Sequence, residues 1–336
     1  MITAIDNGSR GSRSTKLATH ECAPPSRPKR RDRGPAGTVA ARGRFFRRRC
    51  FHVLEAVVIL VTGAAGRLGE SVVRLLVSEG REVVGTDRRT PPDGFPTTFV
   101  EADLCDGGST RDLVDGADAV IHMGAIPGPG RDPEETFGNN MVSTFNVMRA
   151  AQQHRVRRVV FSSSAFGMGW AADPAAFVPK YLPLDEDHPM MPFEPYGLTK
   201  QLGECIGAMV ARSSATTVVS LRFTNVVGTE HQKENFPLDA PTTEHPTTLV
   251  MWAYADPRDV AEAHVRSVDA NLDGHTSFMI AQPTTRFAEP TIDLIKANFG
   301  DAVELRDGLE GCASVISTKK IEAQLGFRPS RDWRET

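Results

Sequence analysis

Long apolar runs are missing from this chain of 336 residues: nowhere do about 18 consecutive apolar side chains occur, the length a helix needs to cross a bilayer. The N-terminal region also lacks the compact apolar stretch of a secretory signal. Neither export nor a membrane span is therefore expected. Cysteine is scarce. The five residues (Cys22, Cys50, Cys105, Cys205, Cys312) are odd in number, scattered and without a C-x-x-C pair. That argues against a disulfide framework and a zinc centre, predicts no bound metal, and fits a reducing, cytoplasmic setting.

Acidic residues are lacking in one region only. Residues 1–50 hold 13 Lys or Arg against 3 Asp or Glu, leaving 26 against 39 for the rest, so the net charge of −3 conceals a basic leader and an acidic body. The leader is rich in Arg, Ser, Gly and Pro and has no apolar run to order it. Residues 1–52 are thus predicted to be a disordered basic segment. Basic tails can contact nucleic acid or anionic membranes, but a solvated tail is the simpler expectation, and neither partner is predicted.

From Ala56 onward, apolar β-rich runs alternate with helical periodicity: 56–62, 82–87, 97–103, 119–124, 158–164 and 217–223. Continuous rather than alternating apolar strands imply a sheet covered on both faces. The predicted fold class is α/β, a doubly wound parallel sheet of the Rossmann kind with a small C-terminal lobe. Residues 53–223 would form the dinucleotide-binding core, catalytic residues included, and 224–336 mostly the substrate-binding lobe. Residues 165–195, with six prolines, read as a long surface excursion, and 224–256 behave similarly.

The first strand runs into Gly63-Ala-Ala-Gly66-Arg67-Leu68-Gly69 and then into a helix. A pyrophosphate needs backbone approach too close for a Cβ, together with the free N–H groups and positive dipole of a helix start. Gly63 and Gly66 supply the approach, and Gly69 lets the helix pack on the strand. Asp87, at the end of the second strand, is placed to accept the adenosine ribose hydroxyls and to repel a 2′-phosphate, which favours NAD. Arg88 and Arg89 follow at once and keep NADP open.

Tyrosine is also rare, three in all. A Y-x-x-x-K pair here would arise by chance roughly 7% of the time, so Tyr196 and Lys200 draw attention by their place, at the start of the helix after the fifth strand. Four residues put them one turn apart on one helix face. A phenol ordinarily titrates near pH 10, so a tyrosine base near neutrality needs adjacent positive charge, which Lys200 and an oxidised nicotinamide both provide. The strand end FSSSA (161–165) brings Ser162 and Ser164 toward the same crevice.

These residues together resemble the extended short-chain dehydrogenase/reductase superfamily, specifically its NAD-dependent epimerase/dehydratase group, over about residues 56–330. The resemblance implies that Ser164, Tyr196 and Lys200 are catalytic, and that Asn140, in Asn139-Asn140-Met-Val-Ser-Thr144, assists a water-linked proton relay. It also implies that Asp103 and Leu104 contact the adenine, and that Gly124 and Ala125, after His122, wall the ribose. Asn225, in Leu221-Arg222-Phe-Thr-Asn225, and Arg258 would face the substrate. Ala165-Phe166 stands where the family's dehydratases carry an acidic pair, which argues against dehydration. The 281 residues from Ala56 are short for a nucleotide-sugar epimerase, so a smaller substrate is expected, as in uronate dehydrogenase-like members. The leading expectation is an NAD-dependent oxidoreductase acting on a sugar or other small hydroxy or keto compound. The alternatives are a sugar epimerase with tightly held NAD and, from another class, a non-catalytic NAD-binding regulator. An apolar stripe of Leu198, Leu202, Ile206, Met209 and Val210 suits core packing, and the resemblance adds a homodimer interface along it.

Overall fold

The computed structural model describes residues 57–128, 130–169, 177–239 and 249–335. The predicted disordered segment 1–52 lies outside them. In chain order the elements are β1 (Val58–Thr62), α1 (Arg67–Ser78), β2 (Glu82–Asp87), β3 (Thr98–Glu101), α2 (Gly107–Val114), β4 (Ala119–His122), α3 (Pro133–His154) and β5 (Arg158–Ser162). There follow β6 (Tyr181–Leu182), α4 (Pro195–Ser213), β7 (Thr217–Phe223), α5 (Thr229–Asn235), α6 (Leu249–Trp252), α7 (Pro257–Asp269), β8 (His275–Ile280), α8 (Thr291–Phe299), β9 (Glu304–Leu305) and α9 (Lys319–Leu325).

Seven strands form one sheet in the order β3-β2-β1-β4-β5-β7-β8, and every neighbouring pair is parallel. This is a Rossmann-like α/β fold. The strand order reverses beside β1, between β1 and β4, which opens a crevice at the carboxyl ends of the strands. Both faces are covered as the continuous apolar strands require. On one side β1 and β4 side chains such as Ile59, Val61 and Ile121 meet Val72, Leu76 and Val265. On the other, Leu60 and Val120 meet Val147, Met148 and Val210. Each such wholly buried Val, Leu or Ile contributes about 1.5–3 kcal/mol.

Helix starts are set by short-range polar contacts. Asp106 caps α2, Asp132 caps α3 and Asp256 caps α7, the last two followed by Pro at the first helical position. Glu194 caps α4 by accepting from the backbone amides of Tyr196 and Gly197, which pins the first turn that carries Tyr196. α1 differs: its cap residue, Gly66, makes no side-chain bond to the first turn.

Two expectations change. The predicted third, fourth and fifth strands end early, at Glu101, His122 and Ser162: after β3 and β4 the next residues leave the ladder to line the crevice, and after β5 Ser163 turns to Glu204 and Ser164 starts a short 3-10 helix. Residues 165–195 are not a surface excursion where described. Ala165, Met168, Phe177, Leu182 and Leu184 are buried with Trp252, Phe287 and Val315 in a second core, and β6 pairs with β9. The prolines interrupt regular structure, but the apolar residues between them still have surface to bury. In the C-terminal part, β8 is the edge strand of the main sheet and α7 packs on α1, so only the segments around them build a lobe. Among the described residues no helix is long and apolar enough to cross a membrane.

Candidate functional site

A cleft of about 920 Å³ runs along the carboxyl edge of the sheet. Gly63, Gly66, Arg67, Leu68 and Gly69 line one end with Asp87, Arg88 and Arg89; Asp103, Leu104, Gly124 and Ala125 form the middle; Ser162, Tyr196 and Lys200 close the inner end. The turn after β1 leaves no room for a side chain at Gly63 or, where α1 packs back on it, at Gly69. Gly63 has a φ of +69°, and a Cβ on it would lie 2.8 Å from the Gly124 backbone nitrogen. A Cβ on Gly69 would collide with the Gly63 carbonyl oxygen. The uncapped first turn of α1 therefore faces the cleft with free N–H groups and its positive dipole end, a seat shaped for a pyrophosphate. Asp87, buried at the end of β2, accepts from the Arg89 amide at 3.1 Å and pairs with its guanidinium at 3.3 Å.

At the inner end, Lys200 donates from Nζ to the Ser162 carbonyl oxygen at 2.8 Å and lies 5.4 Å from the centre of the Tyr196 ring. Burial pulls the Lys200 ammonium down to about 8. Burial likewise pushes the Tyr196 phenol up to about 12, with a hydrogen bond from Ser164 acting to lower it and the Glu194 carboxylate to raise it. Without further positive charge this phenol stays protonated near neutrality. Ser164 is buried at the start of a short 3-10 helix, where its Oγ also accepts from the Phe166 amide at 3.2 Å.

Other predicted residues fall outside the cleft lining. Asn140 uses its side chain on the backbone of Ile126, accepting from its amide at 2.7 Å and donating to its carbonyl at 3.0 Å. It thereby holds the loop after β4 against α3 and reaches Thr199 at 3.4 Å, so its side chain is committed to positioning. Asn225 is half-buried, and its carbonyl accepts from Ala255. Arg258 is not brought to the cleft: its guanidinium pairs with Asp256 at 2.8 Å, beside a separate groove between α1 and α7.

Reading the sequence missed the groups beneath the serines. Glu204, one turn beyond Lys200, accepts from Ser163 at 2.5 Å, from Ser277 at 2.8 Å and, through both oxygens, from the Arg222 guanidinium at 2.9 and 2.8 Å. Burial pushes its carboxyl up, and Arg222 with the two hydroxyls outweighs that and holds it below the usual range. This network anchors the chain just after β5, between Ser162 and Ser164. The i+4 spacing from Lys200 was the available signal. His264 gave none. It bonds the Val260 carbonyl at 2.7 Å through Nδ1, so that nitrogen carries the proton and Nε2 accepts from Ser162 at 2.8 Å.

The sequence matches the model of the NAD dependent epimerase/dehydratase family over residues 59–281. It is 32% identical over 180 residues to a UDP-glucose 4-epimerase of Lactobacillus helveticus, covering 51% of this chain and 52% of that enzyme. A uronate dehydrogenase of Pseudomonas putida is 32% identical over 167 residues, 49% of this chain and 59% of that enzyme. These matches span only about half the length of the relatives. A UDP-glucose 4-epimerase of Corynebacterium glutamicum is 25% identical over 314 residues, 81% of this chain and 90% of the enzyme. Among solved structures, a short-chain dehydrogenase/reductase superfamily protein of Agrobacterium tumefaciens with bound NAD superposes with a TM-score of 0.64 at 28% identity, covering 82% of this chain and 94% of that one. The match to the Corynebacterium epimerase covers most of both chains, so it supports the epimerase alternative more than the length of this chain alone suggested.

Proposed function

The chain belongs to the NAD dependent epimerase/dehydratase family, an enzyme family whose cofactor is NAD, and on that premise we propose that it oxidises and reduces a sugar carbon. When bound, NAD accepts a hydride from the substrate and can return it. The rest of the chemistry is assigned to this chain's own side chains. Tyr196 takes the hydroxyl proton from substrate, Ser164 holds the same oxygen, and Lys200 stabilises the phenolate electrostatically. Asn225 is assigned to the substrate side. The single observation carrying this is the buried Tyr196 beside Lys200 at the closed end of the cleft.

Within that chemistry, epimerisation of a nucleotide-linked sugar is favoured by the near full-length likeness to an epimerase. The second reading, oxidation of a free sugar acid, is favoured by the likeness to a uronate dehydrogenase. An elimination is disfavoured because Ala165 and Phe166 offer no acid beside Ser164. Purified protein incubated with UDP-glucose or with glucuronate distinguishes them. Conversion of the nucleotide sugar without net absorbance change at 340 nm, with NAD released only on denaturation, supports the epimerase; NADH accumulation with glucuronate supports the dehydrogenase. Failure of every sugar substrate to turn over would remove both.

A homodimer in the cytoplasm completes the proposal. Phe137 and Phe145 on α3 and Leu198 and Met209 on α4 are exposed, while Val210 of the same stripe is wholly buried, so the two neighbouring helices present an apolar face outward. Light scattering at micromolar concentration should give twice the chain mass; a monomer refutes it.

A further inference from the structure

Arg286 follows β8 by six residues, on the carboxyl edge of the sheet that also carries the cleft. Its backbone is held from two sides: the amide donates to the Trp252 carbonyl at 3.0 Å, and the carbonyl accepts from the Leu238 amide at 2.9 Å. Both residues lie between β7 and α7, within the part of the chain expected to form the substrate-binding lobe. The residue is 6% exposed, yet among the described residues no carboxylate and no hydrogen-bond acceptor engages its guanidinium. Its Nε is fully enclosed and has no partner. Burial pulls the group down to about 10, with no opposing charge to restore it. At neutral pH it remains a cation.

Arg222 provides the comparison within the same fold. It is equally buried, and both oxygens of Glu204 meet its guanidinium. A buried charge without such a partner carries a desolvation penalty that nothing in the chain offsets. A planar guanidinium also matches a carboxylate or a phosphate with two parallel hydrogen bonds, so an anionic ligand can supply what the chain omits.

We propose that Arg286 is an anion-recognition residue for substrate, taking the carboxylate of a sugar acid or the phosphate oxygens of a nucleotide-linked sugar. This rests on the assignment of a sugar substrate made above. It goes further in naming the charge that the substrate carries and the residue that reads it.

The test uses the full-length, NAD-loaded protein as wild type, Arg286→Met and Arg286→Lys, with glucuronate, UDP and neutral glucose as probes in calorimetry and thermal melts. Ligand-free Arg286→Met should melt above wild type, since it removes an unpaired buried charge. Wild type should bind glucuronate or UDP but not glucose, Arg286→Met at least tenfold more weakly, and Arg286→Lys in between. Binding of glucuronate alone identifies a sugar acid, and of UDP alone a diphosphate. The proposal is overturned if wild type binds neither anion, if Arg286→Met binds within twofold of wild type, or if its ligand-free melting temperature falls. Loss of hydride transfer with binding intact would instead count against the catalytic assignment.

Discussion

The two ends of the cleft are made from different materials. Around β1 to β4 the cleft is lined largely by main chain, the Gly63, Gly66 and Gly69 turn and the uncapped amides of α1, with the carboxylates of Asp87 and Asp103 beside them. Around β5, β7 and β8 the site depends on buried side chains whose protonation matters: Tyr196, Lys200, His264, and the Glu204–Arg222 pair beneath them. A pyrophosphate keeps its charge and is met by fixed dipoles. Proton transfer requires groups that change charge, and burial is what tunes them. The first end should therefore tolerate conservative side-chain changes better than the second.

The sharpest break in that contrast comes from Tyr196→Phe, which should lower turnover by roughly 10²–10⁴-fold while NAD stays bound, as steady-state rates and the NAD content of the purified variant will show. Glu204→Ala strands the Arg222 guanidinium in the interior, and its expected cost is about 3–5 kcal/mol of stability by urea unfolding. An equal loss in activity but none in stability would mean that the pair is not structural.

Acid comes next. Burial holds His122 at about 3 and His264 at about 4, against an ordinary 6.5. Below 6.5 the unfolded chain takes up protons that the folded chain refuses, so stability is complete above that pH and falls as pH drops toward 4. Each histidine contributes up to about 1.4 kcal/mol per pH unit. Unfolding curves at pH 7.5, 6 and 5 measure this, and a His264→Asn variant should show a shallower slope. Smallest is Asp87→Ser at the other end: with the carboxylate gone and Arg88 and Arg89 retained, the NAD over NADP preference should fall about tenfold, about 1.4 kcal/mol, in paired titrations. An unchanged ratio would assign that preference to main chain alone.

How far each region was legible in the sequence follows from the range of its contacts. The glycine turn, Asp87 and the Tyr196–Lys200 pair are local patterns that a strand–turn–helix or one helical turn converts directly into geometry. The resemblance placed Arg258 toward the substrate, but Asp256, two residues before it, caps the helix and takes the guanidinium. Asn140 likewise binds backbone 14 residues away. Ser163, Ser277 and Arg222 reach Glu204 from 41, 73 and 18 residues off, a convergence that no spacing announces.

What the amino-acid order determined alone is the alternation of strand and helix, the glycine turn and the juxtaposition of Tyr196 and Lys200, because each depends on residues within a turn or two of one another. Only the tertiary structure decided which charges are paired. It joined Glu204 to Arg222, turned Arg258 to Asp256 and left Arg286 unmatched among the described residues. The cost of a buried charge depends on what the folded chain brings against it from afar.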